Sequence, residues 1–193
     1  MMLGVLAFAG VLAWLVWRGP GVPPAPARLG MEQARAFNAS IPFIGGRLGA
    51  ARPYYFRGTP AAREQAVRCL ATAALYEAGD DPSGQKAVIQ VVLNRLALPR
   101  YPKTVCGVVY QGAERPTGCQ FSFTCDGSLT RRPERAGWRA ARLAAGRALR
   151  GYVYAPVGRA THYHADWIVP YWMPTLDKIA RVGPHIFYRP RRG

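Results

Sequence analysis

A helix that carries an acid at the inner end of its apolar stripe, followed at once by the start of a second helix, leaves a chain few ways to fold. Ala66, Leu70, Ala73 and Glu77 fall at i, i+4, i+7 and i+11, so Glu77 projects from the same helical face as the small apolar residues. This spacing predicts a helix over residues 61–77 with a partly desolvated carboxyl at its end. Desolvation disfavours the charged form of a carboxyl, and the nearby like charges of Asp80 and Asp81 push the same way. A glutamic acid kept protonated near neutral pH is a proton donor for a leaving group. The plainer account is a helix-end Glu whose head reaches water.

The second helix starts with clear signals. Asp81 is a capping residue, Pro82 suits the first helical position, and Ala87, Val88, Val91 and Val92 supply an inner face up to Asn94. The link from Gly79 to Asp81 then reads as a tight turn between two packed helices. Arg95 ends the apolar run and reads as a solvated cation at the negative pole of the helix, with no catalytic role.

With these two helices, further elements in a fixed order resemble a known family. They are Glu77-Ala78, the helix Gly84-Gln85-x-Ala87-Val88-x-x-Val91-Val92-Leu93-Asn94-Arg95, the segment Pro102-x-Thr104-Val105-x-x-Val108-Val109-Tyr110-Gln111, then Gln120-Phe121-Ser122 and Asp126-Gly127. Together they are similar to the SleB/CwlJ-type cell wall hydrolases, over residues 69 to 188. The resemblance implies a lysozyme-like α+β fold, a helical lobe with a small antiparallel sheet. It implies cleavage of peptidoglycan glycan strands between N-acetylmuramic acid and N-acetylglucosamine, as a lytic transglycosylase with Glu77 as the single catalytic acid and base. The muramic 6-hydroxyl would be the nucleophile, leaving a 1,6-anhydro end. No cofactor and no metal are implied. Two-carboxylate glycosidase schemes need a second acid across a cleft, for which Asp126 and Asp166 are the candidates. Asp126 precedes Gly127 and also reads as a turn residue.

Four cysteines, Cys69, Cys106, Cys119 and Cys125, form no Cys-x-x-Cys pair and no usual zinc spacing. Behind an export segment an even number favours disulfides, with three possible connectivities; we expect Cys119 with Cys125 and Cys69 with Cys106. Four reduced, buried thiols are the alternative. Inside the Cys119–Cys125 loop, Gln120, Ser122 and Thr124 alternate with Phe121 and Phe123, the period of a strand or extended loop with one polar and one aromatic face. A polar face of this kind can bind sugar hydroxyl and acetamido groups, and a plain surface hairpin with Phe inward accounts for the same alternation; the resemblance implies that Gln120, Ser122, Thr124 and Asp126 are the substrate-binding candidates.

Residues 133–150 read as a helix closed by Gly151, with Trp138, Ala141, Ala145 and Leu149 inward. Tyr152 to Tyr154, Ala160 to His164 and His185 to Tyr188 have strand composition and suggest the small antiparallel sheet. By the resemblance, His162, Tyr163 and His164 line the cleft. A rival reading uses His162 and His164, at i and i+2 on a strand, with Asp166 or His185 as zinc ligands of a peptidoglycan amidase or peptidase. A third is a non-catalytic envelope protein that binds glycan. Trp167 to Trp172, with Tyr171, form an aromatic shelf suited to sugar rings or to capping the core.

Half of the 193 residues are hydrophobic, so general disorder is excluded and one compact domain is expected. The division expected is residues 1–18 as a signal or membrane anchor, 19–60 as a Pro/Gly-rich linker, and 61–193 as the catalytic domain. Met1 to Trp17 carry no charged side chain and are just long enough to span a bilayer, and Pro23-Pro24-Ala25-Pro26 reads as a stiff tether. This places the protein outside the cytoplasm, periplasmic or in the envelope and anchored to the inner membrane, with peptidoglycan and membrane as partners. In the linker, Ile41 to Ile44 and Tyr54 to Phe56 are clusters suited to docking on the domain. The net charge of +16 suits the stem-peptide carboxylates of peptidoglycan and equally anionic lipid or nucleic acid. No nucleic acid partner is expected, and the sequence is silent on oligomeric state.

Overall fold

The computed structural model describes residues 29–44, 48–116, 118–130 and 136–191. The apolar run at Met1 to Trp17 and the tether at Pro23 to Pro26 lie outside the described residues. Among the described residues no helix is long and apolar enough to cross a membrane. The described residues form five α-helices, α1 (Met31–Ser40), α2 (Pro60–Ala78), α3 (Pro82–Leu96), α4 (Val105–Val109) and α5 (Ala136–Ala148), and three strands, β1 (His162–Ala165), β2 (Leu176–Val182) and β3 (His185–Pro190). This is an α+β fold with a small open antiparallel sheet in the order β1-β3-β2.

Local chemistry sets the first helix pair. The Thr59 hydroxyl accepts from the Ala62 amide at 3.2 Å, and Pro60 opens α2. Gly79, at φ 55°, ends α2 by donating its N–H to Leu75 O at 2.8 Å. Asp81 then caps α3 through the Ser83 amide at 2.9 Å. Gln85 staples the turn to the next helix, donating from Nε2 to Gly79 O at 2.6 Å and to Gly137 O at 3.1 Å. A Cβ on Gly137 would stand 2.6 Å from Gly79 O, so only glycine lets α5 come this close to the turn.

The helices pack around small side chains. Leu70, Ala71, Ala73, Ala74, Val88, Val92, Ala141 and Ala145 are fully or almost fully buried, joined by Phe121, Phe123 and Leu149. The Cys69–Cys106 disulfide ties α2 to α4, and Cys119–Cys125 closes the short loop, the pairing expected from the sequence.

In the sheet, His162 faces Tyr188 and Tyr163 faces Phe187 across β1 and β3. Side chains alternate across this register. Tyr163, His185 and Phe187 form one face, with Phe187 packed near Ala87 and Val91 of α3. His162, His164, Ile186 and Tyr188 form the other, under Trp172, Met173 and Ile41.

Three sequence expectations about local structure are corrected. Tyr152 to Tyr154 are not a strand; they follow α5 as irregular chain, held by the Tyr154 amide donating to Gln90 Oε1 at 2.9 Å. The third strand is β2, whose charged Asp177, Lys178 and Arg181 and a bulge between Lys178 and Ala180 hide the period-two pattern. Residues 122–124 are a turn of 3-10 helix rather than a strand or extended loop, which leaves Phe121 and Phe123 buried and Ser122 exposed.

The described residues ahead of α2, 29–44 and 48–59, are packed on the domain. Lys178, buried in β2, donates from Nζ to Asn38 O at 2.6 Å and Ile41 O at 2.7 Å and so closes the end of α1. Arg189 Nη1 donates to Leu48 O at 2.9 Å, Arg159 Nε to Ala50 O at 2.9 Å, and the Phe56 amide to Leu149 O at 3.0 Å. Ile41 is 7% exposed, and Ile44, Tyr54 and Phe56 pack on the core clusters. Residues 29–44 and 48–59 thus form a strap held by long-range hydrogen bonds.

Candidate active site

The end of α2 and the end of α3 meet the outer strand of the sheet at a cleft of about 410 Å³. Glu77, Arg95, Gln120, Phe121, Ser122, His162, Tyr163, Tyr171 and Trp172 are among its lining residues. Glu77 sits where the apolar stripe of α2 runs out against β1. The Tyr163 hydroxyl, 86 residues on, donates to Glu77 Oε2 at 2.8 Å. Burial pushes the Glu77 carboxyl above its ordinary range; the Tyr163 hydrogen bond and the Arg95 charge pull it back, and the Asp126 charge pushes it further up. The like charge is therefore Asp126 rather than Asp80 or Asp81. Asp80 is exposed, and Asp81 is occupied as the cap of α3. Burial holds the Tyr163 phenol well above its usual range, so it stays a hydrogen-bond donor.

Of the residues singled out in the sequence, the cleft brings together Glu77, Gln120, Ser122, His162 and Tyr163. Thr124, Asp126 and His164 stand outside its lining. The Thr124 hydroxyl donates to Phe121 O at 2.8 Å, and Asp126 Oδ1 accepts the Ser128 amide at 2.8 Å. His164 is buried on the far face of the strand, with Nε2 2.8 Å from the Tyr188 hydroxyl and Nδ1 2.9 Å from Ala165 O. Of the aromatic shelf, Trp172 packs on His162, His164 and Tyr188, while Tyr171 is 89% exposed at the cleft.

The zinc arrangement does not form. Sheet alternation sends His185 to the face opposite His162 and His164, where its ring meets Tyr163 edge-on. Asp166 is engaged elsewhere: Arg181 of β2 pairs with it at 2.6 Å and Arg35 of α1 at 3.3 Å. Among the described residues no group of three His, Cys, Asp or Glu side chains is placed to hold a metal ion.

Arg95 departs most from the sequence reading. It is 4% exposed, not solvated. Its Nε donates to Thr161 O at 2.8 Å, and its guanidinium lies over the rings of Tyr101 and Phe121. The signal was present in the spacing: Val88, Val92 and Arg95 fall at i, i+4 and i+7, on the inner stripe of α3.

A carboxyl that burial pushes above its ordinary range thus lines a cleft between a helical lobe and a small sheet, bonded to Tyr163. The comparisons with known proteins assign the chain to a family. The model of the Cell Wall Hydrolase family matches residues 79–188, starting two residues after Glu77, and the chain belongs to that family. The spore cortex-lytic enzyme of Halalkalibacterium halodurans is 34% identical over 123 residues, 63% of this chain and 34% of that protein. The spore cortex-lytic enzyme of Bacillus subtilis (strain 168) is 32% identical over 123 residues, 63% of this chain and 36% of its own length. The chain thus spans about a third of the length of these curated relatives. Among solved structures, the catalytic domain of the Bacillus cereus SleB protein superposes with a TM-score of 0.53 at 28% identity, over 73% of this chain and all of that one. The catalytic domain of the germination-specific lytic transglycosylase SleB from Bacillus anthracis matches with a TM-score of 0.53 at 27% identity, over 69% of this chain and 99% of that one.

Proposed function

We propose that the protein cleaves the bond between N-acetylmuramic acid and N-acetylglucosamine in peptidoglycan glycan strands, as a lytic transglycosylase with Glu77 as its catalytic acid and base. The observation that carries this reading is the carboxyl of Glu77, pushed towards its protonated form by burial and bonded to Tyr163 at the base of the cleft. The hydrogen bond from Tyr163 occupies Oε2 and leaves Oε1 to carry the proton. Glu77 gives that proton to the glycosidic oxygen as its bond to the muramic C1 breaks. The carboxylate then takes the proton of the muramic 6-hydroxyl as that oxygen bonds to C1, closing the 1,6-anhydro ring and restoring the acid.

One carboxyl is enough for this cycle. Asp166 is tied in two ion pairs, with Arg35 of the strap and Arg181 of β2, which supports the one-acid scheme over a pair of opposed carboxylates. Gln120, Ser122, His162 and Tyr163 line the cleft, which supports them as sugar contacts, and Tyr171 adds an exposed ring for stacking. Thr124, Asp126 and His164 act behind them, in the loop and in the sheet. In this reading the helical lobe with its sheet follows the lysozyme-like plan. Residues 1–18 anchor or export the chain, and residues 61–193, with the strap, work on the wall from the envelope side of the inner membrane.

The test is mass spectrometry of peptidoglycan digested with the full chain and with Glu77→Gln. We expect anhydro-ended muropeptides from the unmodified chain and a loss of about 10²–10⁴-fold in their release by the variant. Reducing ends would make water the nucleophile, and unchanged cleavage by Glu77→Gln would remove Glu77 from the mechanism. Retained glycan binding with no cleavage by either protein would leave a binding module.

A further inference from the structure

A cation withdrawn from water without a bonded carboxylate costs several kcal/mol, and protein interiors rarely keep one for packing alone. Arg95 is such a cation. One N–H is taken by Thr161 O, and its Nη1 is buried with no hydrogen-bond partner. The guanidinium lies 5.6 Å from the Tyr101 ring centre and 5.3 Å from that of Phe121, and both rings are buried. An apolar side chain would fill that slot without the desolvation cost.

The groups facing it come from several elements. Tyr101, by charge and by a hydrogen bond, Tyr163 of β1 and Glu77 of α2 favour its charge, and Glu77, which lines the same cleft as Arg95, is the one carboxylate among them. His162, also in the cleft, is disfavoured from charging by Arg95 and Arg100. Facing Glu77 are Tyr163, Arg95 and Asp126.

We propose that Arg95 is a positioning residue for the cleavage reaction, a fixed counter-ion that holds the carboxylate of Glu77 after its proton has gone to the glycosidic oxygen. The inference rests on Glu77 as the catalytic acid, proposed above. The proton leaves Glu77 and returns to it from the 6-hydroxyl, while Arg95 keeps all its protons, because a guanidinium does not give them up in this range. Because its burial is already met in the folded protein, the charge acts on the carboxylate without reorganising at the moment of reaction. Burial and Asp126 push the Glu77 carboxyl towards its protonated form, and Tyr163 and Arg95 pull it back towards the carboxylate.

A purely structural Arg95 would only fasten Thr161 and β1, so the test must read charge. In full chain labelled with ¹³C-glutamate, the Glu77 carboxyl is titrated in the unmodified protein, in Arg95→Met and in Arg95→Lys, with thermal melts as the check on folding. We expect Arg95→Met to move the Glu77 midpoint, and the alkaline limb of glycan cleavage, upward by about one pH unit or more, and Arg95→Lys to restore most of it. An unmoved midpoint in a folded Arg95→Met, or an equal displacement in Arg95→Lys, overturns the proposal. A measurement with no change at Arg95 covers the case where that variant fails to fold. The ¹⁵Nε signal of Arg95 should shift with the Glu77 midpoint, apart from the His162 transition near 4, and lie flat through it in Glu77→Gln. A flat signal in the unmodified chain overturns the proposal. Full cleavage by Glu77→Gln with the Arg95 signal still following Glu77 would instead sink the catalytic role of the acid and leave the pairing intact.

Discussion

The helical lobe and the sheet are buried by different means. Between α2, α3 and α5 most contacts are alanine and valine, with Ala71, Ala73, Ala74, Val88, Val92, Ala141 and Ala145 at or near zero exposure; Gln85, Gln90 and Arg95 of α3 are the buried polar side chains there. The sheet side instead buries His164, Asp166, Lys178 and His185, each hydrogen-bonded, ion-paired or packed on rings. Close-packed small residues let helices approach and fix their ends rigidly, whereas a polar interior holds its parts by specific bonds and answers to pH. The cleft is where the two meet. The helical side supplies Glu77 and Arg95, and the sheet side supplies Tyr163 and His162.

The largest effect outside Glu77 and Arg95 is expected from unlocking the helical side. The Cys69–Cys106 disulfide closes a separation of 37 residues. Replacing both cysteines with alanine should cost roughly 3–4 kcal/mol by the chain-entropy model. That lowers the melting temperature by about 6–16 °C, read by calorimetry beside the oxidised protein. A drop of under one degree would mean that the alanine core alone fixes the lobe.

Tyr163→Phe tests the junction. It removes one hydrogen bond to Glu77 Oε2 and leaves the ring in place. The bond favours the carboxylate, so its loss should raise the Glu77 midpoint further and carry the alkaline limb of cleavage with it, with turnover lower by about tenfold. A pH–rate profile superimposable on that of the unmodified chain would make Tyr163 a bystander.

The smallest effect belongs to the sheet alone. Burial lowers the folded-state midpoint of His162 from 6.5 to about 4, and moves His164 and His185 the same way. Over that range the unfolded chain binds more protons than the folded one, so stability is fully present above pH 6.5 and falls as the pH drops towards 4. His162→Gln should flatten part of that fall in melting temperature between pH 7 and 4. An unchanged slope would assign the loss to other groups.

The same division governs what could be read beforehand. The turn at Gly79 to Asp81, the capping of α3 and the place of Glu77 on the stripe of α2 follow from neighbours within a few residues, and the structure keeps them. Strand β2 escaped because Lys178 is buried as a latch for α1, so its charge misreports its exposure. The strap escaped in part: its apolar clusters were recognisable, but the carbonyls that Arg159, Lys178 and Arg189 hold are more than one hundred residues away.

By itself the sequence determined the two helices, the acid at their junction and the family to which the chain belongs, because helical periodicity, capping and motif order are local properties of the chain. Only the tertiary structure decided that Tyr163 bonds Glu77, that Arg95 is buried beside the same cleft, and that His185 turns away from His162 and His164. Those outcomes depend on strand register and helix packing between distant segments, and burial, which sets the charge of each group, is a property of the assembled fold.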